Sequence, residues 1–555
     1  MKKIYITLVL VVFAMSSCED FLDTEPKDKI ALKQYINDES GLNHALAGVY
    51  DILGNLYGTA LWRTLEVGTD EGYYARNTQI TGPQVNNYDP TNTDISGLWT
   101  NLYIGIDRAN VLIANINVAQ MDEAKRQVIL GEALFLRGYY YFILVSRFGD
   151  VPLKLTPTMS PSGLQIARTP SKAVYEQVLK DMKEAEIKVS ASKYDYSGRI
   201  SKTVVQGILA RVYLQMAGFP LMDTAKYADA LAYSKKVIDS GERGLNVSYN
   251  TQAAFKSFNE SQPSIPVNSN NAYRQIFINA AQNIYDTNES IWEVEFMGNQ
   301  TDGFSERGGL GAQNGITFTS ASLSPTIGYS YGFVKGTARL FNAYDPTGKD
   351  LRRDWVLTTY TLNGSTGARV AIAKSAPNTL GRDCAKWRRE YEAITPKAKN
   401  DSGINFPILR YADVLLMYAE AENQVNGPTT LAQEAVNKVR RRAYGQTNIS
   451  LPYPLSDTKT SEAASSQKNF QLFIEDERMR ELCFEGLRRM DLIRWNKYVT
   501  TMNSVGNEIS TNSINTSQKY GGLAGTNTAT RHLLFPIPSL EMMSNKLITE
   551  NNPGW

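Results

Sequence analysis

The feature that most constrains this chain is a helical apolar stripe that starts, stops and restarts in pairs. Leu102, Ile106, Ala109, Ile113 and Ile116 share one face of a 3.6-residue period, and Ile129, Ala133, Leu136, Tyr140 and Ile143 share a face of the next segment. Phe148-Gly149-Asp150-Val151-Pro152 ends that second helix, as Gly and Pro require. Ser171 is placed to cap a helix from Val174 to Val189, and Ser201 to cap the run Val205, Ile208, Leu209, Val212, Met216. Tyr227 to Ile238 adds a helix. Much later Tyr411, Val414, Leu415, Tyr418, Ala421 and Val425 share a face. Gly427-Pro428 stops that helix, and Thr430 with Gln433 predicts a capping box for one whose face is Ala432, Ala435, Val436, Val439 and Ala443.

Helix pairs of this kind predict a mainly α fold: a right-handed superhelical scaffold of tetratricopeptide-like pairs, with long irregular loop-rich segments and a few short strands packed on it. The irregular period and the long insert before the last pair exclude a regular solenoid. Residues 41–240 form the N-terminal helical scaffold, 241–405 a loop-rich insert, and 406–555 the region that closes the scaffold. The irregular stretches are 65–96, 241–405, 445–468 and 505–530, all rich in Gly, Asn, Thr, Ser and Tyr. Loops of such length inside a compact protein are functional or disordered, and their aromatic content points to order. Ile291 to Phe296 alternates like a strand, with Trp292, Val294 and Phe296 on one face and Glu293 and Glu295 on the other, in solvent.

The N-terminus is an address. Lys2 and Lys3 precede the apolar run Ile4 to Ala14, which is too short to span a bilayer, so residues 1–17 form a signal peptide. Ser16-Ser17-Cys18 follows the pattern of a bacterial lipobox. The Cys18 thiol takes a diacylglycerol through a thioether, and further acyl chains make the anchoring stable. Residues 18–40 then serve as the tether, polar and with Pro26 in its course. The other two cysteines, Cys384 and Cys483, are expected as buried free thiols.

Several chemistries fall away. The 58 Lys and Arg against 56 Asp and Glu leave a net charge of +2, which recommends no nucleic acid. The two histidines, His44 and His532, provide no zinc spacing and little basis for a catalytic triad, so no metal, cofactor or catalytic residue is expected. His44 lies in a helical run and is expected to pack or cap. Gly308-Gly309-Leu310-Gly311 misses the dinucleotide and phosphate-loop spacings. A glycosidase needs two carboxylates, which Glu293 with Glu295 or Asp70 with Glu71 could supply, but an exposed amphipathic strand explains the first pair equally well. The interleaved Arg and Glu residues from Ile474 to Trp495 are expected as intramolecular salt bridges.

Ordered motifs along nearly the whole chain resemble the SusD/RagB family of outer-membrane lipoproteins of Bacteroidota. They are Ser17-Cys18-Glu19-Asp20-Phe21-Leu22-Asp23, Trp99 with Leu102-Tyr103 and Ala109-Asn110, Glu132 to Arg137, and Tyr140 to Leu153. Gly198 to Lys202, Ala210 to Leu214, Arg410 to Ala421, Glu477 to Trp495, Phe535 to Pro538 and Asn551 to Trp555 continue the series, with Trp555 where the family more often has Tyr. The resemblance implies a lipid-anchored, cell-surface nutrient binder rather than an enzyme. Its ligand would be a glycan, less often a peptide, and its partner a SusC/RagA-type TonB-dependent transporter.

A sugar binder needs flat aromatic faces for the C–H side of a pyranose and short polar groups for its hydroxyls. Two loop stretches offer both: Asp70, Tyr73, Tyr74, Arg76 and Asn77, continuing to Asn87 and Tyr88, and then Tyr329, Tyr331 and Phe333. Replacing Cys18 by Ala is expected to leave a folded protein that no longer takes up lipid or fractionates with the outer membrane. Firm retention of that variant in the membrane without a transporter present would exclude the anchor.

Overall fold

The computed structural model describes residues 35–58, 66–160, 163–249, 271–296, 308–372 and 380–555. The signal peptide, Cys18 and most of the 18–40 tether lie outside the described residues. The array opens with α1 (Glu39–Asn55), α2 (Thr93–Ala114) and α3 (Glu123–Phe148), each capped by a short polar side chain. Asp38 accepts from the Gly41 amide, Asn92 from Asp94 and Ile95, and Asp122 from Lys125. From Ile129 onward α3 is almost wholly buried. It is long and apolar enough to cross a membrane, but here it is the core helix, packed between α2 and α4 (Ser171–Lys188). α5 (Lys202–Ala217) and α6 (Lys226–Asp239) form the next pair.

After α7 (Ala272–Ala281) the chain runs through short elements before the array resumes. α8 (Tyr411–Asn426) packs on α5 and α6, then on α9 (Thr430–Ala443). α10 (Pro454–Ala463), α11 (Gln467–Leu482), α12 (Arg488–Arg494) and α13 (Tyr498–Asn512) complete the closing region. One hydrophobic core runs from Ile36 to Ile548, so scaffold, insert and closing region share it. Four strands tie distant parts of the chain together: β1 (Gly72–Tyr74), β2 (Ser290–Val294), β3 (Val334–Gly336) and β4 (Phe406–Arg410). β1 pairs antiparallel with β3, and β2 with β4.

The caps differ in detail from expectation. The first helical residue of α4 is Ser171, whose amide donates to Asp150 Oδ1 at 2.7 Å. Ser201 holds the N-cap position of α5, but its hydroxyl accepts from Arg243 Nη2 at 3.1 Å instead of capping. For α9 the cap is Thr429, one residue earlier than expected, while the Gln433 side chain donates through Nε2 to Pro428 O. Two stretches expected to be irregular, 445–468 and 505–530, contain α10 and the second half of α13. In α13 a Ser-, Thr- and Asn-rich composition hides a short stripe of Met502, Val505 and Ile509.

The charges from Ile474 to Trp495 form the expected intramolecular network. Glu481 accepts from Arg442 at 2.6 Å, Arg410 at 3.0 Å and Arg352 at 3.1 Å. Arg352 also binds Asp350 and Glu477, and Arg410 binds Glu289 and Glu485. A second set joins α5 to α8, α11 and α12: Asp413 lies 2.7 Å from both Arg211 and Arg478, and Arg478 continues to Asp491. Cys384 and Cys483 are buried and free.

Although burial works against ionisation, Arg478 and Arg211 hold the Asp413 carboxyl down at about 2. Its folded value lies below its unfolded one. The stability it contributes is therefore present above the ordinary carboxylate range and is lost as pH falls from 3.8 towards about 2. Glu481→Gln keeps shape but removes the charge that three guanidinium groups face. It is expected to cost about 3–5 kcal/mol in denaturant unfolding. A change within about 0.5 kcal/mol, the range of an ordinary surface substitution, would show that the network is not coupled to folding.

Candidate ligand-binding site

The two candidate stretches, far apart in sequence, meet in the β1–β3 ribbon. Gly72, Tyr73 and Tyr74 pair with Gly336, Lys335 and Val334, and the Ala75 amide donates to Phe333 O at 2.8 Å. The half-buried rings of Tyr329, Tyr331 and Phe333 come to lie side by side, with the chain turning at Gly332 between the last two. The backbone between them is pinned at every step. Ser330 exchanges two hydrogen bonds with Phe318, the Tyr331 amide donates to Ala312 O, and the Phe333 amide to Gln313 O. Gly328 precedes this segment and Gly332 lies within it, at φ of +100° and +60°, a region closed to most side chains.

A continuous run of rings results. Tyr74 lies 5.4 Å from Phe333, Phe333 stacks on Tyr331 at 4.9 Å and 12°, and Tyr331 meets Tyr329 edge-on at 4.8 Å. Cations stand at both ends, with the Arg76 guanidinium 5.7 Å from the Phe333 centroid and the Lys399 ammonium 4.9 Å from that of Tyr329. The Tyr331 hydroxyl donates to Asn400 Oδ1 at 3.0 Å and keeps part of its ring in water.

At the Tyr74 end the run opens into a polar cleft of about 510 Å³. Arg76, Gln79, Thr81, Gln84, Asn87, Asp89 and Asn92 line it, with Tyr88 in its wall. The Asp89 carboxylate accepts from the hydroxyl and amide of Thr91 at 2.6 and 2.8 Å, which holds it below the usual carboxylate range. Behind the wall, Tyr88 stacks on Trp555 at 4.9 Å and lies 5.4 Å from His532. Burial drives His532 down to about 3, so it stays neutral.

Not every expected residue reaches this site. Asp70 is 2 % exposed and accepts two hydrogen bonds from Arg488, each at 2.8 Å, so it anchors β1 to α12 instead of facing a ligand. Tyr73, 3 % exposed, points opposite to Tyr74 and packs with Leu380, Val505 and Ile509. It pins the ribbon and offers no platform. Tyr88 keeps only an edge in the cleft because Trp555 covers its face. Asn77 is exposed beside Arg76. Lys399 and Asn400 carry no signal in the sequence: they stand at the polar end of the insert, with no aromatic or periodic pattern around them. His44 lies on α1, stacked against Tyr35, and neither packs in the core nor caps the helix.

The carboxylate pair changes character as well. Glu293 is not in solvent, because β2 is covered on both sides. It accepts from Ser290 Oγ at 2.7 Å and Asn405 Nδ2 at 3.1 Å, and burial pushes it up to about 7. Glu295 accepts the Tyr285 hydroxyl at 2.9 Å. Neither lines the cleft.

A family model described as "SusD family" matches residues 288–555, and one described as "Starch-binding associating with outer membrane" matches residues 20–214. The chain belongs to the SusD family. Over 99% of its length it is 26% identical to a SusD-like protein of Formosa agariphila, covering 98% of that relative. It is 22% identical to the starch-binding protein SusD of Bacteroides thetaiotaomicron, over 99% of this chain and 98% of that one. The crystal structure of a SusD homolog from Bacteroides thetaiotaomicron superposes with a TM-score of 0.79 at 27% identity, covering 96% of this chain and all of that one. A laminarin-binding SusD-like protein shares the fold at a TM-score of 0.66 and 22% identity, over 94% of this chain and all of that one. In SusD terms, the ring run is assembled across both matched regions: Tyr74 and Arg76 come from the first, Tyr329 to Phe333 from the second.

Glu293 yields a test separating a structural acid from a catalytic one. Its folded value lies above the unfolded one, so its contribution to stability is present below the ordinary glutamate value of 4.5 and is lost as pH rises through about 7. Glu293→Gln, which mimics the protonated form, is expected to be more stable than the parent at pH 8 by about 2–3 kcal/mol, and to match it near pH 4. Thermal unfolding across that range checks it. Product formation from a glycan by the parent, lost in the variant, would make Glu293 catalytic.

Proposed function

We propose that this chain captures a glycan on the half-exposed Phe333, Tyr331 and Tyr329 rings, which the buried Tyr74 backs, and in the adjoining cleft, without converting it. One observation carries the reading: a rigid run of aromatic rings ends in a cleft lined by amides, hydroxyls, the carboxylates of Asp89 and Asp94 and a single guanidinium. Pyranose rings lay their C–H faces on such rings, while their hydroxyls pair with Arg76, Gln79, Asn87 and Asp89. Because the rings are already fixed by the ribbon, stacking costs little further conformational entropy. Starch and laminarin, named for the relatives, are the first ligands to try.

The site belongs to a binder held at the outer membrane by lipid on Cys18 and facing the exterior. It delivers its ligand to a TonB-dependent transporter of the SusC/RagA type. The lipobox-like Ser16-Ser17-Cys18 supports the anchor, and the family resemblance supports the partner. A peptide ligand is the alternative outcome of the same binding test.

Tyr331→Ala and Arg76→Ala are each expected to weaken glycan binding about tenfold or more, ~1.4 kcal/mol, with thermal stability nearly unchanged. Calorimetry with laminarin and soluble starch reads the effect. Parent-like affinity in both variants would move the site elsewhere, and binding of peptides but of no glycan would replace the ligand class.

A further inference from the structure

Away from that ring run, three tyrosines from two loops gather at the surface. Tyr194 and Tyr196 lie between α4 and α5, and Tyr285 lies between α7 and β2. The Tyr194 and Tyr196 centroids are 5.6 Å apart with planes at 31°, and Tyr196 and Tyr285 are 6.3 Å apart at 58°. Tyr196 and Tyr285 keep 39% and 41% of their surface in water, which rings serving only to pin loops do not need.

The cluster is held rigidly from behind. The Arg199 guanidinium lies 5.5 Å from the Tyr194 centroid and is itself fixed by Glu132, at 2.9 and 3.0 Å. Glu295 accepts the Tyr285 hydroxyl with one oxygen, and its other lies against Gly198, where a Cβ would come within 2.5 Å. The two loops are tied together: Lys193 Nζ donates to Asn288 Oδ1 at 2.6 Å, Ser197 Oγ to Ser290 O at 2.7 Å, and the Glu293 amide to Ser197 O at 3.0 Å.

We propose that Tyr194, Tyr196 and Tyr285 form a second contact site for the same glycan, taking one or two of its pyranose units. This rests on the glycan reading above. The rings form an apolar surface already in place, and the exposed Asp195 stands between two of them in the chain. That combination fits the mixed apolar and hydroxylated faces of a sugar, whereas the patch is too small and too polar at its edge for a protein or lipid surface. A single small platform binds weakly. On a polymer already held at the main site it acts at a high effective concentration, so it favours long chains over short ones.

The test is affinity electrophoresis of the whole mature chain in gels containing neutral polysaccharides, laminarin and soluble starch among them. It compares the parent, Tyr331→Ala, the double variant Tyr196→Ala/Tyr285→Ala, all three changes together, and Tyr196→Phe/Tyr285→Phe. The double alanine variant is expected to lose about three- to tenfold in affinity for the polysaccharide that retards the parent, which matches the worth of one or two stacking contacts. It should bind short oligosaccharides of the same polymer as the parent does. The Phe variant, which keeps the rings, should stay close to the parent. The proposal falls if the double alanine variant is retarded like the parent and the triple variant like Tyr331→Ala. It also falls if the Phe variant loses as much as the alanine one, since a structural hydroxyl would then be responsible. A parent that no polysaccharide retards overturns the glycan reading itself, and this proposal with it.

Discussion

Glu481 sits where α9, α11, β4 and the insert converge, and its two oxygens accept from Arg442, Arg410 and Arg352. All four side chains are fully buried. Ions in such a place are costly unless each finds its full set of partners, because the desolvation penalty rivals the Coulombic gain. The network meets that condition by drawing partners from far along the chain: Glu289, Asp350, Arg352 and Lys386 from the insert, and Arg440, Glu477 and Glu485 from the closing region. The insert, poor in regular structure of its own, is thereby bound to the helical scaffold in one arrangement.

The site depends on the same principle one step outward. Arg488, at the start of α12, takes Asp70 bidentately, and the Phe484 amide donates to Glu71 Oε1 at 2.8 Å. Those contacts fix the entry to β1, and with it the register against β3 that sets Tyr74 beside Phe333. The charged residues that resemble the family's late motifs, from Arg410 to Asp413 and from Glu477 to Arg494, are thus mostly members of buried ion pairs. They specify where the ribbon lies. The rings and amides that meet solvent lie outside those motifs, so ligand choice can vary while the frame stays constant.

What is legible in the residues follows from local physics. A 3.6-residue stripe that must be buried announces its helix wherever it occurs, so the helices from Leu102 to Ile238 and from Tyr411 to Ala443 can be read directly. Tyr329, Tyr331 and Phe333 stand out for the converse reason: they lie in a polar, irregular stretch and on none of the periodic faces that build the helical core. Asp70, Tyr73 and Glu293 defeat the same reading because local pattern assigns a polar or amphipathic residue to solvent. Each is buried by something distant in sequence: Arg488, the α13 stripe and Asn405.

The sequence by itself determined the scaffold, the interleaved charges that hold it and the aromatic, polar character of the loops, because periodicity, charge spacing and composition act over a few residues. Only the tertiary structure decided which tyrosines carry an open face and which are pins. Exposure is settled by what packs on the far side of a ring, and for Tyr73 and Tyr88 that partner is Val505 or Trp555, more than 400 residues away.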